Sequence, residues 1–333
     1  MKSIMTKENN IDITILEELN RFIQQAESVL IVAHIDPDGD SLGSLLAMTS
    51  FLKEIGKDVY PIITDEIPQK YSFLKGIDEI PDKYDGNELK IDTAILLECP
   101  NQNRINGPAK YILDNCKIIN IDHHRDNKIK GDFNWVDSSK SSVGEMLYEY
   151  FEYIDFQLSK EIAEYLYVAI LTDTGRFRFT STSSRTLQVA SRLIDFGADP
   201  RKITDMIYYE MEPAAIVLTG KVLNSVEYMY DNKLCIMTLN RKMVADSGSK
   251  KSDAEGLVDF TMFGKGVKIG VFLKEVNDHQ TKVSFRSKND LDVAEIASKY
   301  GGGGHKNAAG CSIDLSLSET KEKLIKTFEE LLG

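Results

Sequence analysis

The stretch VLIVAHIDPDGDSLGSLLAM, residues 29–48, passes from an apolar run through an acidic loop into a helical repeat. Val29–Val32 predicts a short buried strand that stops before His34. After the Pro37-Asp38-Gly39 turn, Leu42, Leu45, Leu46, Met48 and Leu52 recur with a helical period. HIDPDGDS (34–41) therefore lies between the C-terminal end of a strand and the N-terminus of a helix, a place where open α/β sheets bind ligands. Upstream, Ile13, Leu16, Leu19, Phe22, Ile23 and Ala26 predict a helix over 13–27.

The same pattern recurs downstream. Ala94–Leu97 runs into Glu98, Ile118–Ile121 runs into Asp122, and helical segments are expected at 142–154, 160–171 and 184–196. Strands that each end in a polar cluster predict an α/β fold with a mainly parallel, doubly wound sheet and one active edge. The rhythm changes near GADPRK and MEPA, followed by a helical pattern from Ala214 to about Tyr228. Beyond it, KLCIMTLN, VKIGVFLKEV and TKVSFRS read as strands, and DVAEIASKY and SETKEKLIKTFEELL as helices. The expected organisation is a first domain at 1–198, a helical linker region at 199–229 and a smaller α/β domain at 230–333.

The bulk composition limits the function classes. A chain of 333 residues with 42% apolar content has material for two cores. Its net charge of -12 argues against a long groove that tracks the phosphates of duplex DNA, although a local cation cluster can still bind a small anion. Cys99, Cys116, Cys235 and Cys311 show no CxxC pairing and read as reduced, buried thiols of a cytoplasmic protein. No run of 18 apolar residues occurs and the N-terminal sequence lacks an export-signal pattern, so a soluble, unexported protein without membrane contact is expected.

Four of the five histidines fall in three short clusters. In the first, His34, Asp36, Asp38 and Asp40 alternate along a tight loop. An imidazole and carboxylates without thiolate suit Mn²⁺ or Mg²⁺, with the histidines favouring Mn²⁺. Taken alone, the loop reads equally well as an Asx-rich turn capping the next helix. Asp122-His123-His124 ends a strand, where neighbouring residues point in different directions, so one imidazole can ligate metal while the other faces substrate. Asp173 in AILTDTGRF is a further carboxylate after an apolar segment; alone it reads as a capping residue. GGGGHKNAAG (301–310) is read as an anion loop with open backbone N–H groups in preference to a helix cap and connector.

HIDPDGDS (34–41), DHH (122–124), LTDTGRFRF (171–179) and GGGGHKNAAG (301–310) stand in the order and approximate spacing of the DHH phosphoesterases with a C-terminal DHHA1 domain, which the chain resembles over nearly its whole length. Its short two-domain form is similar to the bacterial nanoRNase/pAp-phosphatase group and to standalone phosphodiesterases that cut pApA or cyclic di-AMP. The resemblance implies an active site in the interdomain cleft with two Mn²⁺ ions, for which Mg²⁺ or Co²⁺ are substitutes. One ion would be held by His34, Asp38 and Glu98, the other by Asp40, Glu98, His123 and Asp173. At the bridging position the family usually has Asp; here LLECPNQNR supplies Glu98, a carboxylate with one more methylene. His124 resembles the substrate-facing histidine, with Asp122 and Asp36 orienting imidazole and loop. Arg286 of SFRS, with Gly303, Gly304 and His305, resembles the pocket that grips the terminal phosphate and nucleotide.

The implied activity is hydrolysis of short oligoribonucleotides to mononucleotides, and of 3′-phosphoadenosine 5′-phosphate (pAp) to AMP, by a water activated between two cations. The sequence leaves open a dinucleotide phosphodiesterase acting on pApA or cyclic di-AMP, and a nucleotide-binding sensor that has lost turnover. Short RNA or small nucleotides are the expected partners, and relatives of this kind are often homodimers.

Overall fold

The computed structural model describes residues 13–84, 89–105, 107–112, 116–288 and 291–332. Contacts divide the chain into two compact units, Met1–Glu210 and Met211–Gly333.

The first unit follows the predicted alternation. Helix α1 (Ile13–Gln25) leads into β1 (Ser28–Val32), α2 (Gly39–Glu54), β2 (Asp58–Ile62), β3 (Thr93–Leu97), β4 (Lys117–Asp122) and β5 (Phe133–Val136). Helices α3 (Val143–Tyr153), α4 (Lys160–Asp173), α5 (Ser184–Asp195) and α6 (Pro200–Thr204) complete it. The five strands are all parallel, in the order β2-β1-β3-β4-β5. Val29 and Ile31 enter one core with α1–α4, whereas Leu30 and Val32 enter a second core with Ile62, Ala94 and Leu96. Burial on both faces is why the central strands read as unbroken apolar runs. Two strands of this unit escaped the sequence reading, as did three of the second unit, at Glu227–Met229, Gly303–His305 and Ala308–Ile313. β2 carries Pro61, tolerated because β2 is an edge strand, and β5 is only four residues long with alternating burial.

The strand order reverses between β1 and β3, so the loops after these two strands diverge and leave a crevice at their carboxyl ends. His34 and Glu98 stand on those two loops.

Close helix packing brings further groups to the same edge. A Cβ on Gly43 of α2 would stand 2.3 Å from Tyr165 O of α4, and one on Gly144 of α3 would stand 2.4 Å from Ala169 Cβ. Without side chains at those contacts, α2 and α3 rest directly on α4.

The second unit begins with α7 (Pro213–Leu223), shorter than the periodicity predicted because the chain enters strand β6 (Glu227–Met229). Strands β7 (Leu234–Leu239), β8 (Ile269–Asn277), β9 (Gln280–Ser287), β10 (Gly303–His305) and β11 (Ala308–Ile313) complete a mixed sheet in the order β10-β11-β9-β8-β7-β6. Among the described residues of this unit only the β7–β8 pairing is parallel. Helix α8 (Arg241–Ser247) follows β7. Helices α9 (Val293–Ser298) and α10 (Leu317–Leu332) cover one face through Ile296, Leu324 and Phe328, while α7 joins Met237 and Phe272 on the other. The four cysteines are free and buried. No helix among the described residues is long and apolar enough to cross a membrane.

Candidate metal centre

Six side chains from separated parts of the first unit converge at the crevice. His34 lies just beyond β1, Glu98 is the first residue after β3, His123 the first after β4, and Asp173 the last of α4. Asp38 caps α2, accepting the Ser41 N–H at 3.0 Å while Ser41 Oγ accepts the Asp38 N–H. The same Asp38 Oδ1 stands 3.8 Å from His34 Nε2. The helix-cap and metal-ligand readings of this loop thus fall on one residue and are compatible. Asp40, in the first turn of α2, is buried; its carboxylate accepts the N–H groups of Val143 (2.7 Å) and Gly144 (2.9 Å), at the α3 N-terminus, and the Ser44 hydroxyl (3.0 Å). Donors at a helix start favour an anionic carboxylate.

Glu98 joins the two halves of this cluster. Its Oε2 lies 3.5 Å from His34 Nε2, and its Oε1 lies 3.7 Å from His123 Nε2. His123 Nε2 is also 3.8 Å from Asp40 Oδ2 and 3.4 Å from Asp173 Oδ2. The backbone at Glu98 is left-handed, φ 59°, an uncommon state for a residue with a long side chain. Its N–H is nevertheless tied to Ile121 O at 3.0 Å, so the loop is held in the turn that sends this side chain into the crevice.

The donor set fits divalent cations. Glu98 Oε2 is buried and has no hydrogen-bond partner among the described residues. The 3.4–3.8 Å separations exceed ordinary hydrogen bonds. Neighbouring donors about 2.1–2.2 Å from a common ion stand about 3 Å apart or somewhat more, so small side-chain shifts would let these atoms share one. The potential ligand atoms fall into three overlapping groups: His34, Asp38 and Glu98; Asp40, His123 and Asp173; and Glu98, His123 and His124.

The charges agree with that reading. Burial, reinforced by Glu98 and Asp173, raises Asp40 well above the usual carboxylate range, and Asp173 is pushed up to about 7, chiefly by burial. For His34 and His123, burial acts to depress the pKa, but the surrounding carboxylates outweigh it and both are raised. Without a cation, Asp40, Asp173 and the two imidazoles hold protons more tightly than free side chains do, while, against burial, the histidines keep Asp38 and Glu98 below the usual carboxylate range. His34 Nδ1 lies 2.6 Å from Ile35 O and 2.8 Å from Arg104 Nη2. Arg104 can only donate, so its contact makes Nδ1 an acceptor and competes with Nδ1–H donation to Ile35 O; in either case Nε2 faces Asp38 and Glu98. His123 Nδ1 is 3.4 Å from Lys140 O, which orients that ring in the same sense.

His124 stands beside His123, ring centroids 5.0 Å apart, with Nδ1 2.7 Å from Asp122 Oδ1. Burial acts to raise Asp122, yet its bonds to His124 and Asn127 hold it below the usual range, while Asp122 in turn raises His124 against burial. Asp36 is exposed; its N–H is donated to Asp65 Oδ2 at 2.7 Å across a left-handed backbone, φ 54°. Arg104, Lys140, Asp65 and the α3 N–H groups were not singled out from sequence, because each acts through fold contacts that periodicity does not show.

In the second unit, Arg286 on β9 donates from Nε to Asp259 Oδ1 at 2.9 Å and from Nη1 to Phe285 O at 3.1 Å. It pairs across the sheet with Ala308 on β11, which carries the chain next to β10. From Gly303 the glycine run, read from sequence as an anion loop, forms an edge strand paired with β11. A Cβ on Gly302 would stand 2.1 Å from Gly310 O and one on Gly304 2.5 Å from Ala308 O, so these glycines permit close backbone pairing, while Gly303 faces open space. The side chain of His305 lies outside the described residues.

Residues 28–170 match the DHH family, N-terminal domain, and residues 231–333 match the DHHA1 domain. The chain is 30% identical over 311 residues to the bifunctional oligoribonuclease and PAP phosphatase NrnA of Thermus thermophilus, covering 91% of this chain and 90% of that protein. It is 32% identical over 302 residues to the protein of the same name from Bacillus subtilis, covering 89% and 92%. An exopolyphosphatase-related protein from Bacteroides fragilis has the same fold, with a TM-score of 0.90, 25% identity and coverage of 97% and 99%. With both domains matched and relatives at 30% and 32% identity covering about nine tenths of each chain, the chain belongs to the DHH family of phosphoesterases.

Proposed function

We propose that this chain hydrolyses short oligoribonucleotides to mononucleotides and pAp to AMP, with two divalent cations, preferentially Mn²⁺, held around Glu98. The observation that carries this reading is the placement of Glu98 with one carboxylate oxygen toward His34 and the other toward His123. The names borne by the relatives from two bacteria supply the substrate class.

His34, Asp38 and Glu98 would hold one cation; Asp40, Glu98, His123 and Asp173 the other. Cations in such a site lower the pKa of a water molecule and neutralise charge on the attacked phosphate. The protein's own groups do the rest. Asp40 is held rigidly by the α3 N-terminus, so its carboxylate stays aligned without further ordering. Asp122 fixes His124 through Nδ1 and leaves Nε2 to meet a phosphoryl oxygen or the departing oxygen. Arg286, with its guanidinium set by Asp259, and the open Gly303 backbone are proposed contacts for a second phosphate and its nucleotide.

The test is release of phosphate and nucleotides from pAp, pApA, a five-residue RNA and cyclic di-AMP in Mn²⁺, beside Asp173→Ala. Turnover of pAp and short RNA that is lost in the variant supports the proposal. Strong preference for pApA or cyclic di-AMP replaces it with second-messenger degradation, and inactivity of folded, metal-loaded protein replaces it with nucleotide sensing.

A further inference from the structure

We propose that Asn127 is a positioning residue for His124, acting through Asp122; this rests on the reading of His124 as the histidine that meets substrate. Asn127 Nδ2 donates a short hydrogen bond to Asp122 Oδ2, and Nδ2 also lies 3.3 Å from Cys99 O and 3.4 Å from Asn120 Oδ1. Its Oδ1 accepts the Ile129 N–H at 2.9 Å and an Asn120 Nδ2–H at 3.2 Å. Because a backbone N–H can only donate, the Ile129 contact fixes the amide with oxygen toward Ile129 and NH₂ toward Asp122.

Asp122 is consequently held at both oxygens. Oδ2 takes Asn127, while Oδ1 takes the His124 N–H at 3.0 Å and faces His124 Nδ1 at 2.7 Å. A carboxylate held at one oxygen can swing about its χ2 torsion, whereas one held at both keeps its plane, and with it the imidazole plane. The contact to Cys99 O, one residue past Glu98, and the 2.7 Å bond from Lys128 N–H to Pro100 O add a second function. They tie the loop carrying His124 to the loop carrying Glu98, so the substrate-facing imidazole is set relative to the metal ligands. Asn120, fully buried on β4, backs this arrangement and passes it to Asn134 at 3.3 Å.

The experiment measures kcat and KM on pAp, and Mn²⁺ affinity by calorimetry, for the full chain, Asn127→Ala and Asn127→Asp, each also in a His124→Gln background. It adds the imidazole N–H spectrum of metal-free protein labelled with ¹⁵N-histidine. Asn127→Ala is expected to lower kcat about 10- to 100-fold with KM and Mn²⁺ affinity within about threefold, and to cost nothing further once His124 is Gln. Asn127→Asp has the same volume and remains testable if the alanine variant does not fold; it sets a carboxylate against Asp122 and loses at least as much. The His124 Nδ1–H signal is expected in the parent and lost or shifted in both variants. A kcat within twofold of the parent, recovery of kcat by added Mn²⁺, or an unchanged Nδ1–H signal would overturn the proposal. If the parent itself proves inactive, the phosphoesterase reading fails, and the spectrum still decides whether Asn127 positions the Asp122–His124 pair.

Discussion

Glu98 Oε2 and His34 Nε2 face each other across 3.5 Å, buried and beyond hydrogen-bond length. A cation between them would give the unpartnered Glu98 Oε2 a partner. Glu98→Gln removes the charge while keeping the shape, and is expected to weaken Mn²⁺ binding by more than the roughly 10- to 100-fold that outer partners cost. Activity should fall in step. Mn²⁺ titration calorimetry with unchanged affinity would remove Glu98 from the ligand set.

Protons and cations compete for the same carboxylates. Asp173 titrates near 7 and Asp40 is raised, so from about pH 4 upward the metal-free folded state holds protons that the unfolded chain has released. The raised His34 and His123 extend the same sign to higher pH, because their stabilising protons are lost as pH rises through the folded pKa values. Asp38 and Glu98 act oppositely, but their depressed pKa values place that effect below about pH 4.5. Chelator-treated protein is therefore expected to melt at lower temperature at pH 8 than at pH 5, and Mn²⁺ to raise Tm more at pH 8. Thermal melts across this range check it; a metal-free Tm that climbs from pH 5 to 8 contradicts it.

Gly43 bears on both stability and the site. Gly43→Ala sets a methyl 2.3 Å from Tyr165 O, forcing α2 from α4 and carrying Asp40 away from Asp173. The expected loss is about 1–3 kcal/mol, the range for overpacking. Urea unfolding measures it, and Mn²⁺ affinity should fall as well. An unaffected variant would show that the helices can part without cost.

Arg286→Ala tests the second unit. Removal of one charged hydrogen-bond donor should raise KM for pAp about tenfold or more while leaving Mn²⁺ affinity unchanged. Asp259→Asn, which weakens the hold on the guanidinium, should give a smaller change in the same direction. Unaltered KM in both variants would remove Arg286 from the substrate contacts.

Much of the first unit was legible because its central strands are buried on both faces: Val29–Val32, Ala94–Leu97 and Ile118–Ile121 are continuous apolar runs whose ends mark one sheet edge. The residues at those ends, His34, Glu98 and His123, do converge. What stayed hidden depends on backbone and tertiary detail. The left-handed turn that aims Glu98 has no glycine or asparagine to announce it. Asn127, three residues past His124, reads in sequence as an ordinary turn residue. The run Gly301–Gly304 signals close backbone approach, and the approach the fold shows at Gly302 and Gly304 is to β11, a pairing that the glycines alone do not announce. Strand β2 was obscured by Pro61, whose missing donor matters little at an edge.

The most direct test is anomalous diffraction from crystals grown with Mn²⁺. Two manganese peaks on either side of Glu98 are predicted, one reached by His34 and Asp38, the other by Asp40, His123 and Asp173. A single peak elsewhere, or none at Glu98 in protein that hydrolyses pAp, would contradict the assignment of this cluster as the catalytic metal centre.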